Sequence, residues 1–285
     1  LLDIEVGGIK NQVLDYSMSH IGPSTRTIDS FKTAKNSGHR IMAKVQFGNS
    51  YECCVVPYIP VFDLVKEHID NLRSIGINDY MLGWTLGGYP SPNLDLVQYC
   101  YEKGDNANLE DWYKKTYGID YKEISYAVKN ACKGFKEFPF SLNMLYFAPL
   151  HRGAANLFIY SKTKFSATMV GFPNNDIDKW CQPYGRDIVI KAMKDVVKGF
   201  SLAVNILENI NTSQANTIEL KEIMTALFCC YQSTLNQLLW VDGIDKNINK
   251  NILKEILINE YKITKTFYKI TVKNKTIGFE ASSHY

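Results

Sequence analysis

The sequence predicts an α/β chain in two parts. Residues 1–100 read as the last strand-helix units of a (β/α)8 barrel, truncated at the N-terminus, with a small open sheet as the alternative, and residues 101–285 as a mainly α-helical domain packed on it. Three observations carry this. Strand and helix patterns alternate as far as about residue 95, in units whose length favours parallel strands. The strand signal then fades. Three long segments with apolar residues at helical spacing close the chain.

The first strand is expected over Gln12–Ser19. Gly22-Pro23-Ser24 opens a helix with Ser24 as its cap, and Gly38 closes it. Arg40–Phe47 is the next strand, followed by the loop "GNSYECCVVPYIP". Leu64, Val65, His68, Ile69 and Leu72 form one stripe of a helix from Val61 to Ile75 that Gly76 ends. His68 lies on that stripe and reads as a packed histidine. "INDYMLGWTL" gives a third strand, and Ser91-Pro92 opens another helix with Pro at its favoured first position. Two helices broken at Gly118 follow, then an aromatic, loop-rich stretch. Long helices are expected over Arg186–Asn209, Ile218–Val241 and Ile248–Ile270.

Composition excludes several classes. With 32 basic and 29 acidic residues, the net charge of +3 argues for no nucleic-acid partner, and no arginine-rich stripe appears. A hydrophobic content of 46% supports a real core. Ile223–Val241 is apolar but holds Gln232, Ser233, Thr234, Asn236 and Gln237, so it reads as a buried soluble helix and no membrane partner is expected. The seven cysteines include two adjacent pairs and no CxxC, which points to reduced, buried thiols rather than zinc or a disulfide framework. Phosphate-loop, dinucleotide, HExxH and GxSxG signatures are missing, so no cofactor or metal is expected. The chain starts at Leu1 and stops in "IGFEASSHY", so it reads as a piece cut at both ends. No signal peptide is visible, and a cytoplasmic location is expected.

In α/β sheets ligands sit at the carboxyl ends of the strands. The third strand ends there in "GWTLGGYPSP". Its Trp84 suits the apolar face of a sugar ring, and its prolines stiffen the loop that presents Tyr89. Packing of Trp84 between strand and helices is the plain alternative. The first strand end brings Asp15, Ser17, Ser19 and His20, the first three on one face by the period of two. The second brings Lys44 and Gln46 on one face, then Asn49 and Glu52. Glu52 is the candidate catalytic carboxylate and Asp15 its possible second member, because glycoside cleavage uses two carboxyl groups flanking the bond. A solvated or salt-bridged Glu52 is the alternative.

"DYSMSHIGPSTR", "AKVQFGNSYE" with "VPYIPV", "LGWTLGGYPSPN" and "ATMVGFPNND" resemble bacterial carbohydrate-active proteins, glycoside hydrolases of the beta-N-acetylhexosaminidase type and their barrel relatives. The resemblance covers most of the chain. It implies a barrel end followed by a helical region, a sugar site at the barrel mouth, and an oligosaccharide or glycoconjugate substrate cleaved by water. Trp84 matches the tryptophan that floors the sugar subsite. The adjacent Asp-Glu pair of the hexosaminidases has no match here and would belong to the N-terminal barrel half, the chain's expected partner. Phe138, Phe140, Tyr146, Phe147 and Trp180 would rim the cleft, with Asp176 and Arg186 on sugar hydroxyls. Packing of these aromatics in an interface core is the alternative. Two rival functions remain: a carbohydrate-binding barrel without catalysis, and an interaction module carried by the helices from Arg186 onward.

Overall fold

Leu2, Ile4 and Val6 alternate with acidic residues, and Gly7-Gly8 separates them from a second short run. That pattern folds as a hairpin in the computed structural model, which describes all residues except 14, 16, 84–88, 152, 155, 162–174 and 279–285. β1 (Leu2–Val6) pairs antiparallel with β2 (Ile9–Val13), Val6 facing Ile9 and Leu2 facing Val13. Gly7 and Gly8 have φ of +57° and +83°, the two positive values a two-residue hairpin turn of this hand needs.

Ser24 caps α1 (Thr25–Asn36) by accepting from Thr27 N–H. β3 (Ala43–Lys44), α2 (Phe62–Ser74) and β4 (Tyr80–Met81) then form a strand-helix-strand unit, with Ala43 opposite Tyr80 in parallel pairing. α3 (Pro92–Lys103) starts as expected, Ser91 capping it and Pro92 in the first turn. α4 (Leu109–Tyr117) and α5 (Tyr121–Phe135) break at Gly118, whose φ is +60°. α6 (Leu142–Phe147) and α7 (Ile177–Trp180) are short. α8 (Arg186–Glu208), α9 (Ala215–Asp245) and α10 (Lys250–Lys273) are the three expected long helices.

The packing follows the sequence stripes. α9 lies deepest, with Leu227, Cys230, Tyr231 and Leu238 all buried. α5 and α8 cross so closely that a Cβ added at Gly199 would sit 2.7 Å from the Cα of Gly134. Phe62 meets Trp112, Tyr113 and Tyr117 at 4.9–6.1 Å between ring centroids, tying α2 to α4. One hydrophobic core runs from Val13 and Val45 through Trp112 and Phe135 to Tyr231 and Leu253, across residue 100. His68 is buried on the inner face of α2 with its ring edge-on to Phe47, as the stripe predicts. All seven cysteines are buried, and none of them is in a disulfide.

The strand content is lower than expected. Of the described residues 61% are helical and 5% strand, and the two sheets have two strands each. The strand expected over Gln12–Ser19 ends at Val13 and pairs within the hairpin. Residues 18–20 are bends, so Asp15, Ser17 and Ser19 do not share a strand face. Arg40–Phe47 and the third strand shrink to two residues each, because among the described residues they pair only with each other and only at Ala43–Tyr80 and Lys44–Met81. Lys44 and Gln46 also part company: Lys44 is exposed, while Gln46 is buried.

Candidate functional site

β3 and β4 run parallel, so both chains leave the sheet at the same end, and the next segments are held together there. Gly48 N–H donates to Leu82 O at 2.8 Å. Asn93, buried at the start of α3, donates to Phe47 O and Ile59 O, each at 2.9 Å, and so pins both ends of the loop between them. Tyr89 stacks on Tyr58 at 6.3 Å with 13° between ring planes, and the Tyr58 hydroxyl reaches Glu219 on α9 at 3.2 Å. Trp84 and residues 85–88 lie outside the described residues.

Glu52 is fully buried in this loop. Oε2 accepts from Met18 N–H at 2.7 Å and Ser50 Oγ at 3.1 Å. Oε1 accepts from Ser19 N–H at 3.0 Å, Ser17 Oγ at 3.2 Å and the Ser19 hydroxyl. Five donors around one carboxylate make a clasp between residues 17–19 and 50–52. An acid-base role would require displacing one of them. Around it, Gln46 accepts from Tyr51 N–H at 3.1 Å, and Asn49 donates to Val56 O at 3.5 Å. Asn49 Oδ1 is enclosed without a partner among the described residues.

Asp15 forms a separate clasp. It accepts from Ser24 N–H at 2.5 Å, Ser24 Oγ at 3.1 Å and Thr27 Oγ1 at 2.9 Å, where α1 begins. Burial pushes its carboxyl up, but these hydrogen bonds, Ser24 N–H first, and the Leu1 amine outweigh it and hold the carboxyl below its usual value. Glu52 and Asp15 share no hydrogen-bond partner among the described residues.

His20 follows residues 17–19 of the Glu52 clasp in sequence, its backbone N–H donating to Ser17 Oγ at 3.2 Å. Its Nε2–H donates to Phe138 O at 3.0 Å. Burial lowers its pKa, against the raising effect of the Phe138 carbonyl and of the Glu52 and Glu137 charges. With Nε2–H committed to the Phe138 carbonyl, Nδ1 of the neutral imidazole is left as an acceptor.

The aromatics expected at a cleft rim are mostly core. Phe138 and Phe140 are buried, and Trp180 is 1% exposed with its Nε1 unpartnered among the described residues. Only Tyr146, at 38% exposure, reaches the surface among those expected, with Phe147 half-buried. Arg186 is committed to Asp178, Asp242 and Asp245 at 2.5–3.5 Å, which leaves it a structural cation rather than a hydroxyl donor.

Two constellations were not anticipated from the sequence. Cys54 Sγ lies 2.9 Å from His151 Nδ1, while His151 Nε2–H donates to Leu145 O at 2.8 Å. In addition, Glu260 on α10 accepts from Ser233 Oγ at 2.6 Å, Asn236 Nδ2 at 2.8 Å and Asn156 N–H at 3.1 Å. The polar run Gln232–Gln237 inside an apolar helix was the visible signal for the second. For the first there was no local signal, because 97 residues separate the partners.

Compared with known proteins, the chain matches no family model, no curated protein and no solved structure.

Proposed function

We propose that this chain is the distal part of a carbohydrate-active protein, akin to glycoside hydrolases of the beta-N-acetylhexosaminidase type. It would form one wall of a sugar site at the carboxyl ends of β3 and β4. The observation that carries this reading is the convergence of the two post-strand segments, pinned by Asn93 and Gly48, at the end of a parallel unit where α/β folds bind ligands. β3 and β4 act in this reading as two late strands of a (β/α)8 barrel. Their brevity and the exposure of Met81 (49%) in β4 and of Met42 (58%) just before β3 support an edge that further strands cover.

The division of labour follows from the bonding. Tyr89 offers a ring face, Trp84 is the stacking residue that the sequence alone assigns, and Asn49 and Gln46 support the loop. Glu52 shapes the wall. Hydrolysis of a glycosidic bond by water then draws its carboxylate pair from strands outside this chain, and His20 is the proton acceptor this chain adds.

The test is hydrolysis of a panel of chromogenic glycosides by the protein carrying its preceding segment, together with glycan binding by calorimetry. Loss of binding in Trp84→Ala and Tyr89→Ala with an unchanged fold supports the wall. Turnover without sugar-dependent loss in either variant contradicts it. Binding without any turnover favours the non-catalytic carbohydrate-binding reading. The interaction-module reading has its own support in the outer face of α10.

A further inference from the structure

α10 meets the fold through one side. Leu253, Glu260 and Ile263 are its buried residues, and Ile256, Phe267 and Ile270 pack half-buried beside them. At 3.6 residues per turn these share a face. The opposite side exposes Leu257 (40%), Ile258 (36%), Tyr261 (68%), Tyr268 (66%) and Val272 (50%). Lys254 and Lys265 fall within that stripe, and Lys262 and Lys269 along its border. The helix carries six lysines and two glutamates on a chain whose whole net charge is +3. One of those glutamates, Glu260, is buried, and Lys273 is already paired with Glu222 at 2.6 Å.

We propose that this face docks α10 flat on an anionic lipid bilayer. The inference does not rest on the sugar wall and uses none of its residues. Charge complementarity selects an anionic partner, and the interleaved apolar side chains select a bilayer over a soluble polyanion. A polyanion would pair the lysines but leave Leu257, Ile258 and Val272 in water. At a bilayer these side chains enter the headgroup boundary, the tyrosines sit at its polar level, and the lysine stems lie along it with their ammonium groups on lipid phosphates. No described helix is long and apolar enough to cross a membrane, and the inner side of α10 is held by α9, so contact is limited to the outer face.

Co-sedimentation of the full chain with vesicles tests this. Retention is expected on vesicles containing phosphatidylglycerol and not on phosphatidylcholine alone, and it should disappear at about 1 M salt, where the Debye length is about 3 Å. The triple variant K254E/K265E/K269E should bind at least about a hundredfold more weakly. L257S/Y261S should also weaken binding with the charge intact. Unfolding midpoints report that the exposed substitutions leave the fold alone. No retention on phosphatidylglycerol vesicles at low salt overturns the proposal, as does binding that neither variant changes. Capture by heparin without vesicle binding reassigns the face to a soluble polyanion and equally overturns it.

Discussion

Glu52 and Ser19 meet at two atoms: the N–H and the hydroxyl of Ser19 both donate to the same carboxylate oxygen. With Met18 N–H, Ser17 and Ser50, they bind the bend at residues 17–20 to the loop after β3. Hydrogen bonds to a charged acceptor contribute about 1.5–3 kcal/mol each, and a buried partner left unmatched costs a similar amount. Glu52→Gln places an NH2 group against backbone donors. It should lower the unfolding free energy by about 2–3 kcal/mol in urea titrations. An unchanged midpoint would show that the clasp is not structural. Any loss of turnover in this variant must therefore be read against its folded fraction.

His68 makes stability depend on pH. Burial lowers its pKa from 6.5 to about 4, against the pull of Asp15. Between those values the unfolded chain holds a proton that the folded chain refuses. Stability is thus fully present above about pH 6.5 and is lost as pH falls toward 4. The loss from this group between pH 7 and 5 should be roughly 2 kcal/mol. His20, lowered in the same direction, adds to it. Urea midpoints of wild type and His68→Gln at the two pH values measure the difference. The variant should show a shallower fall, and parallel behaviour would remove His68 as the cause.

Helix starts were legible where chemistry is local. Ser24 and Ser91 cap as read, Pro92 sits in the first turn, and Gly118 breaks α4 from α5, because each choice involves only neighbouring residues. His68 was readable from its stripe. The strands were not, since their length depends on partners that a local pattern does not name, and the Leu2–Val13 hairpin was overlooked although Gly-Gly between apolar runs marks it. The site was legible in its residue types more than in its bonding. Glu52 stood out as a loop carboxylate, but four of its five donors come from a bend 33–35 residues away and the fifth from Ser50, two residues before it. For Trp180 the sequence allows both a cleft rim and an interface core, and its burial at 1% exposure fits the core.

The crossing of α5 and α8 gives a sharper packing test. A Cβ at Gly199 would lie 2.7 Å from the Asn130 carbonyl oxygen as well as from Gly134 Cα, and backbone cannot step aside as a side chain does. Gly199→Ala gains helix propensity, which is worth up to about 1 kcal/mol. Overpacking costs about 1–3 kcal/mol and should win, since it forces two central helices apart. The expected net effect is a lower unfolding midpoint. A raised midpoint would mean that α8 shifts freely along α5.

Glu260 offers the last test, because it joins three segments distant in sequence. Its carboxylate takes Ser233 and Asn236 from α9 and the Asn156 backbone N–H from the segment between α6 and α7. Trp240 fixes the same segment by donating to Ile159 O at 3.0 Å, with Phe158 edge-on to its ring at 5.4 Å. Glu260→Ala leaves the buried Ser233 hydroxyl, one N–H of the buried Asn236 amide and the half-buried Asn156 N–H without this acceptor, so it should cost about 3 kcal/mol. Glu260→Gln keeps one acceptor and should recover part of that. Hydrogen exchange separates a global from a local effect. The Asn156 amide should exchange faster in Glu260→Ala, beyond what the drop in global stability accounts for, while amides in α5 and α8 follow the global change alone. Protection of Asn156 that survives the substitution would transfer the anchoring of this segment to Trp240.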